Sequence, residues 1–342
     1  MRVAVYYSNK DIRIEERPVP KIGDGEMLIK VMASGVCGSD VMEWYRLHKV
    51  PLILGHEVGG EIVEVGTGVT KYKKGDRVCA AHHVPCNTCY YCLSGHHTVC
   101  DTLRKTNFDP GGFAEYLRLP AINVDRGVFL LPDEVSFEEA TFIEPLACIL
   151  HGQKQARLSP GQSVLVIGSG ISGLLHIQLA KALGAGNIIA VDINDHRIKA
   201  AKRFGADAAI NAKEYAPERL RQLNNGRLAD LVILCTGNTT AINQGLKSVE
   251  RCGTALFFAP TDPNVTIPFS INDIFWRNEV TLTTSYAGSP ADHETAMELI
   301  HAKRVNVKDM ITHRFGLAEI VKGFQHVAEA KESIKVIIEP QK

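Results

Sequence analysis

The segment VLVIGSGISG, residues 164–173, carries the strongest fold signal in the chain. Residues 163–167 are mostly β-branched or aliphatic and predict a buried strand, and an apolar pattern with helical spacing follows at 174–183. Between them lies the pattern GxGxxG, whose glycines allow a tight turn and a close approach of the backbone to a pyrophosphate at a helix N-terminus. The segment therefore predicts dinucleotide contacts from Gly168, Gly170, Ile171, Ser172 and Gly173. A glycine-rich turn that binds nothing is the alternative.

An acid follows at the end of the next predicted strand, residues 188–192. The carboxylate of Asp192 would accept hydrogen bonds from the ribose hydroxyls of NAD and repel the 2′-phosphate of NADP. Arg197 lies shortly after it and could accommodate that phosphate, stack on adenine or lie on a solvated helix face. With Asp192 in place, the sequence favours NAD as the cofactor.

Strand and helix patterns alternate beyond this point. A helix is predicted at 195–204 and further strands at 208–210, 231–235 and 254–258, which is the order of a doubly wound parallel sheet. Before residue 150 the pattern differs: short apolar runs with period 2, broken by Gly, Pro and Asp, predict a β-rich, barrel-like domain. The tail has helical patterns at 291–301 and 317–331 and a last strand at 333–338. The predicted class is α/β with two domains.

Composition narrows the possible functions. The 342 residues suffice for two cores, and 45% hydrophobic and 22% charged residues are typical of globular proteins. A formal net charge of zero without runs of like charge argues against nucleic-acid binding. No apolar run reaches the ~20 residues of a membrane helix, and no signal peptide is recognised. Cysteines scattered through apolar contexts favour a reducing compartment, and we expect the cytoplasm.

Four cysteines form a compact group with the spacing C-x2-C-x2-C-x7-C, namely Cys86, Cys89, Cys92 and Cys100. Thiolates this close along a turn-rich loop can bind one tetrahedral ion, and four of them leave no position for substrate. We predict a structural zinc, favoured over an iron–sulfur cluster. Two disulfides or four unrelated core thiols are the alternatives.

A second constellation consists of Cys37 in GVCGSD, His56 and Glu57 in GHE, and Glu144 in the apolar run FIEPLA. Thiolate, imidazole and carboxylate suit zinc, and three protein ligands leave the open position that catalysis needs. Glu144 is either a further ligand or a partner of the zinc-bound water. From spacing alone, an ordinary core cysteine and a surface His-Glu pair are the favoured explanation of these residues.

A resemblance to a known family gives these residues more weight. The segments GVCGSDV (35–41), GHEVGGEIVEVG (55–66), PGGFAEY (110–116), IEPLA (143–147) and VIGSGISG (166–173) occur in the order found in zinc-dependent medium-chain dehydrogenases. With the four-cysteine lobe and Asp192, they cover nearly the whole chain. The sequence resembles the sorbitol (polyol) and threonine dehydrogenase branch of that superfamily.

The resemblance implies a GroES-like catalytic domain at 1–150 with a structural zinc lobe at 82–103, a Rossmann NAD-binding domain at 151–287, and a return to the catalytic domain at 288–342. It implies two zinc ions per chain. Cys37, His56 and Glu57 would hold the catalytic zinc, with Glu57 exchanging with water and Glu144 ligating in some states. Ser39 would relay the substrate proton, whereas Asp40 would be structural.

The expected activity is hydride transfer from a secondary alcohol of a polyol, sugar acid or cyclitol to NAD, reversibly giving a ketone. Met42 departs from the family, because threonine dehydrogenases carry a relay histidine there, so the relay must end elsewhere. Glu43 replaces a substrate-contacting tyrosine and leaves an aminocyclitol or threonine-like amino alcohol as the alternative substrate. A non-catalytic NAD-binding protein is the alternative of another class.

Family analogy also implies a homodimer or homotetramer, with the apolar segment 271–285 buried near a sheet edge. Besides the small-molecule substrate, no nucleic acid or membrane is an expected partner. Four histidines near the lobe are expected to be solvated and are not assigned as ligands: His82, His83, His96 and His97.

Overall fold

The computed structural model describes residues 1–342 and divides into two compact units. The first unit comprises Met1–Ala147, Ala287–Lys303 and Val307–Lys342, and the second comprises Cys148–Tyr286 and Arg304–Asn306. None of the helices combines the length and apolar character that crossing a lipid bilayer requires.

The elements follow one another in three stretches of chain. The first contains β1 (Arg2–Ser8), β2 (Asp11–Glu16), β3 (Met27–Gly35), α1 (Glu43–Arg46), β4 (Leu52–Ile53), β5 (Glu57–Val65), β6 (Arg77–Ala80), α2 (Tyr90–Leu93), β7 (Tyr116–Leu119), α3 (Ala121–Arg126), β8 (Val128–Leu130), α4 (Phe137–Ala140) and α5 (Ile143–Gln155). The second contains β9 (Val164–Ile167), α6 (Ile171–Ala182), β10 (Ile188–Asp192), α7 (Asp195–Arg203), β11 (Ala208–Asn211), α8 (Pro217–Leu223), β12 (Ala229–Leu234), α9 (Thr239–Leu246), β13 (Val249–Phe257), α10 (Ile271–Ile274) and β14 (Thr281–Thr284). The third contains α11 (Pro290–His301), β15 (Ile311–Gly316), α12 (Ile320–Glu329) and β16 (Lys335–Glu339). Short 3-10 helices lie at Gly38–Val41, Leu47–Lys49, His97–Val99, Lys308–Met310 and Leu317–Glu319.

The first unit is built on a seven-stranded sheet in which β3 holds the central position. The order is β15-β16-β3-β5-β6-β8, with β7 also paired to β3, and a smaller sheet has the order β2-β1-β4. Strand β3 pairs antiparallel with both β5 and β16, so that Gly35 lies opposite Glu57 on one side and Ile337 on the other. The C-terminal strand therefore completes the sheet that the N-terminal third of the chain begins. The prediction of a β-rich first unit is confirmed.

The second unit contains a six-stranded sheet of order β11-β10-β9-β12-β13-β14, in which all neighbours are parallel. This is the 3-2-1-4-5-6 order of a doubly wound dinucleotide-binding sheet, as predicted. Strand β9 is central and fully buried, which explains its unbroken apolar sequence. The predicted strand at 188–192 is confirmed at both ends, whereas β12 and β13 begin earlier than predicted.

Candidate catalytic metal centre, metal lobe and dinucleotide site

The three predicted ligands of the catalytic zinc come together at one end of β3 and β5. Cys37 follows β3 and is the N-cap of the 3-10 helix Gly38–Val41, while His56 and Glu57 lie at the start of β5. Their potential ligand atoms all lie within 4.8 Å of one another. One sulfur, one imidazole nitrogen and one carboxylate oxygen are a donor set that suits zinc, so the residues fit this ion.

Asp40 orients the imidazole of His56. Its carboxylate is fully buried, and Oδ1 lies 3.6 Å from Nδ1 of His56. The same carboxylate accepts the backbone N–H of Cys37 at 3.0 Å and pairs with Arg46 at 3.3 Å. A carboxylate facing one ring nitrogen leaves the other for a metal. Asp40 was expected to be structural, and it contacts two of the three candidate ligand residues, Cys37 and His56.

The centre has a strongly negative electrostatic potential. Burial lowers the pKa of His56, but the negative charges of Asp40, Cys37 and Glu144 outweigh burial and raise that pKa well above its usual value. An environment that favours a positive charge on an imidazole also favours a divalent cation.

Ser39 lies directly beside the candidate thiolate. Its hydroxyl donates to Sγ of Cys37 at 3.4 Å, and its oxygen accepts a hydrogen bond from Nη2 of Arg46 at 3.1 Å. Nε of Arg46 also donates to the carbonyl of Ser39 at 2.9 Å, which fixes the loop. The hydroxyl predicted to relay a proton is thus held at the metal centre.

The two glutamates differ in their surroundings. Glu57 is 1% exposed and forms a buried ion pair with Nζ of Lys335. Glu144 is 8% exposed in the first turn of α5 and does not belong to the group within 4.8 Å. Its charge nevertheless contributes to the raised pKa values of His56 and Cys79, so it lies within electrostatic reach of the centre.

Two of the lobe histidines are not solvated as expected. His82 and His83 are half-buried and their rings lie 3.8 Å apart, and the ring of His82 lies 4.8 Å from that of His56. Burial lowers the pKa of His83 to about 4 and that of His82 well below its usual value. His82 therefore lies as a neutral ring beside the candidate ligands. His96 is exposed as expected, while His97 is half-buried.

The four lobe cysteines form a second cluster. The Sγ–Sγ distances are 3.9 Å for Cys86–Cys92, 3.6 Å for Cys89–Cys92 and 3.6 Å for Cys86–Cys100. A tetrahedron with zinc–sulfur bonds of 2.3 Å has edges of about 3.8 Å, so the thiols fit this ion without rearrangement. None of the four lobe cysteines forms a disulfide, so the disulfide alternative is wrong.

Backbone N–H groups point at the lobe sulfurs. Sγ of Cys86 accepts from the N–H of Cys89 at 3.3 Å and of Thr88 at 3.5 Å, and Sγ of Cys100 accepts from Cys86 at 3.4 Å. Donors to sulfur stabilise the thiolate, and the hydrogen bond from Thr88 leads the causes that lower the pKa of Cys86 to about 5. Cys86 therefore favours the charged form that binds zinc, whereas burial raises the pKa of Cys92 to about 12.

In the second unit, the glycines of the nucleotide loop have the predicted conformational roles. Gly168 has φ of +95°, and a Cβ there would lie 2.8 Å from the carbonyl oxygen of Cys235. A Cβ on Gly173 would collide with the carbonyl of Gly168, so this position requires glycine for helix–strand packing. Gly170 caps α6 without a side-chain hydrogen bond, which leaves N–H groups at the helix N-terminus for a phosphate.

Asp192 and Arg197 flank this loop. The carboxylate of Asp192 accepts the N–H of Ser169 at 2.6 Å and of Asn194 at 2.9 Å, and the residue is 6% exposed. The guanidinium of Arg197 lies over Gly170, 3.8 Å from the position that a Cβ would take. Oγ of Ser169 and Nε of Arg197 are buried without a hydrogen-bond partner. Orphaned polar atoms around a free helix N-terminus fit a dinucleotide.

The sequence did not indicate two residues at the candidate metal centre, Arg46 and Lys335, or the contact of Asp40 with His56. Asp40 and Arg46 lie close to Cys37 in sequence, and a buried acid beside a ligand loop was the available signal. Lys335 lies within the strand predicted at 333–338 near the C-terminus, and its sequence position gives no indication of a contact with Glu57.

Comparison with known proteins agrees with this geometry. Residues 23–133 match the alcohol dehydrogenase GroES-like domain, and residues 172–302 match the zinc-binding dehydrogenase domain. The chain is 34% identical to sorbitol dehydrogenase of Bacillus subtilis over 355 aligned residues, covering 100% of this chain and 98% of that protein. It is 32% identical to D-xylulose reductase A of Aspergillus oryzae, covering 96% and 93%.

Solved structures show the same fold over the full length. Galactitol-1-phosphate dehydrogenase from Escherichia coli superposes with a TM-score of 0.86 at 28% identity, covering 99% of both chains. The relatives and the two domain matches identify a zinc-dependent oxidoreductase that acts on alcohols and uses NAD. The chain therefore belongs to the zinc-dependent medium-chain dehydrogenase family, on the branch that contains the sorbitol dehydrogenases and xylulose reductases.

Proposed function

We propose that this protein oxidises a secondary alcohol of a polyhydroxylated small molecule to the ketone, with NAD+ as hydride acceptor, and catalyses the reverse reduction. Polyols, sugar acids and cyclitols are the substrate class. The observation that carries the proposal is the convergence of Cys37, His56 and Glu57 on one point, with Asp40 behind the imidazole. When bound, zinc would supply Lewis acidity and NAD would supply the redox chemistry.

In this proposal the residues of the chain position the reactants and move one proton. Cys37, His56 and Glu57 hold the metal, and Glu144 lies near enough to influence a ligand at the open position. Ser39 accepts the substrate proton at Oγ as its own hydroxyl proton passes on toward solvent. Arg46 donates to that oxygen and stabilises the negative charge that develops there when the hydroxyl proton leaves first.

The amino-alcohol alternative receives no support from Glu43. The carboxylate of Glu43 accepts the backbone N–H of Asn9 at 3.0 Å, and the residue is exposed. Polyols therefore remain the proposed substrates, and amino alcohols are included in the substrate panel as a separate class.

A substrate panel tests the proposal. Formation of NADH would be followed with sorbitol, xylitol, inositols, sugar acids, threonine and amino-substituted cyclitols, using protein whose zinc content has been measured. We expect two zinc ions per chain and turnover with at least one polyhydroxylated alcohol. Cys37→Ser and His56→Ala should abolish turnover and leave NAD binding intact. Near-normal turnover in either variant, or one zinc per chain in the unmodified protein, contradicts the proposal.

Two further features of the protein in the cell belong to this proposal. The first is a homo-oligomer whose subunits pair through β14, because this strand ends the parallel sheet and leaves its outer backbone edge without a partner strand. Ile271 and Trp276, just before that strand, are 61% and 68% exposed in the single chain, although the sequence predicted a buried segment. The second is a cytoplasmic location, which cysteines without disulfide bonds support.

A further inference from the structure

Lys335 and Glu57 form an ion pair in the interior of the first unit. Lys335 is the first residue of β16 and Glu57 the first residue of β5, and each is 1% exposed. Nζ of Lys335 donates to Oε2 of Glu57. Two opposite charges removed from water together are stabilised only when their geometry is good, so the position of each side chain depends on the other.

The sheet provides a space that this pair fills. Strand β3 runs between β5 and β16 and ends at Gly35, which lies opposite Glu57. A Cβ on Gly35 would overlap Oε2 of Glu57 and would lie 2.7 Å from Nζ of Lys335. Any other residue at Gly35 would therefore displace the pair. The ammonium also lies 5.4 Å from the centre of the Phe142 ring, so an aromatic side chain packs beside the ion pair.

The pair determines how Glu57 can act toward a metal. Glu57 belongs to the group of ligand atoms within 4.8 Å, yet its Oε2 already accepts a hydrogen bond from a full positive charge. A carboxylate that shares its charge with an ammonium is a weaker metal donor than one whose oxygens are both free. The thiolate of Cys37 and the imidazole of His56 have no such cationic partner bonded to the atoms that would face the metal.

We propose that Lys335 is a positioning residue that weakens the hold of Glu57 on the catalytic zinc and so makes this ligand exchangeable. The inference rests on the proposed function, because it requires zinc at Cys37, His56 and Glu57. The ammonium of Lys335 places one positive charge next to the group formed by Cys37, His56 and Glu57, and so offsets one of its negative charges. Glu57 remains close enough to ligate but is drawn toward Lys335, and the metal keeps a position that substrate can occupy.

Two variants of Lys335 have opposite expected effects. Lys335→Met removes the charge and keeps a long apolar side chain, so Glu57 should bind the metal permanently. Zinc release from the catalytic site to an excess of a chromophoric chelator should then be roughly tenfold slower or more, while kcat falls. Lys335→Arg keeps the pair and can engage both carboxylate oxygens, so zinc release should be as fast as in the unmodified protein or faster.

The direction in which the rate of zinc release changes separates this positioning role from a purely structural one. A lysine that only stabilises the fold would, when removed, loosen the centre and release zinc faster. The lobe ion serves as the internal reference, and its release is identified in Cys37→Ser protein, which should keep only that ion. Glu57→Gln, with the carboxylate charge removed, should release the catalytic zinc faster than the unmodified protein.

Faster or unchanged release in Lys335→Met overturns the inference. If Lys335→Met does not fold, slower release in Lys335→Arg overturns it. The unmodified protein could bind two zinc ions per chain and oxidise an alcohol while Lys335→Met releases zinc no more slowly. That result would refute the role of Lys335 and leave the proposed function standing. One zinc per chain in the unmodified protein would refute the proposed function itself.

Discussion

Oδ1 of Asp40 lies 3.6 Å from Nδ1 of His56, and both side chains are at least 87% buried. A carboxylate behind a metal-binding imidazole fixes the ring and raises its basicity, and removing such a partner typically weakens metal binding or activity by about 10–100-fold. We therefore expect Asp40→Asn to lose catalytic zinc to a chelator at correspondingly lower concentration. The lobe ion is the control, and equal loss from both sites would indicate general unfolding.

The lobe zinc can be removed without touching the catalytic centre. In Cys89→Ser protein the sulfur that lies 3.6 Å from Cys92 is replaced by a weaker ligand, so zinc content should fall from two ions per chain to one. The small core formed by Cys92, Cys100 and Leu103 should loosen and become sensitive to protease. Cys252→Ser, at an exposed thiol outside both clusters, is the matched control. Retention of two ions in Cys89→Ser would contradict the assignment.

Asp192 is expected to select the cofactor. In Asp192→Asn an amide replaces a charged acceptor that now receives the N–H groups of Ser169 and Asn194. Hydrogen bonds to charged groups are worth about 1.5–3 kcal/mol, so NAD binding should weaken by about 10–100-fold and the preference for NAD over NADP should shrink. Fluorescence titration with both reduced cofactors measures this ratio. An unchanged ratio would show that another residue selects the cofactor.

Buried His176 should make stability depend on pH. Burial lowers its pKa from 6.5 to about 3, because the ring packs against Phe258 and its Nδ1 faces Gln153. At pH values between these two pKa values, the unfolded chain binds a proton at His176 that the folded chain does not. The free energy of unfolding therefore keeps its full value above pH 6.5 and falls as the pH decreases below it. At pH 5 this loss is about 2 kcal/mol.

Denaturant unfolding at pH 7 and pH 5 measures that loss. In His176→Asn, whose amide oxygen can still accept from Gln153, the free energy of unfolding should fall by about 2 kcal/mol less between the two pH values. His196→Asn, at an exposed position of α7, should behave like the unmodified protein. Identical pH dependence in the His176 and His196 variants would contradict the expectation.

The proposed subunit contact is tested at Trp276. If this 68% exposed indole is covered by a second copy, Trp276→Glu places a charge in that interface and should shift the protein toward the monomer. Sedimentation velocity of the purified protein measures the change. Tyr90→Glu, at a 79% exposed side chain on the metal lobe, is the control and should leave the oligomer intact. A monomeric unmodified protein would disprove the contact.

The features that could be predicted depend on residues close together in the chain. The four lobe cysteines lie within one short loop, so their spacing alone favours a common ion. The nucleotide loop is equally local, because strand, glycines and helix follow one another, and β10 ends at Asp192 as its apolar pattern predicted. Cys37, His56 and Glu57 are farther apart, and only the resemblance to a family gave them priority over an ordinary core cysteine and a surface pair.

The sequence by itself determined the parallel sheet, the nucleotide loop and the metal lobe, because local apolar periodicity and ligand spacing specify them. Only the tertiary structure decided that Asp40 supports His56, that His82 is half-buried beside it, and that Lys335 pairs with Glu57 across 278 positions. These contacts depend on the register of β5 and β16 against β3, which brings Gly35 opposite both strands. Strand register is set by the packing of the whole sheet, so no single segment of the chain carries that information.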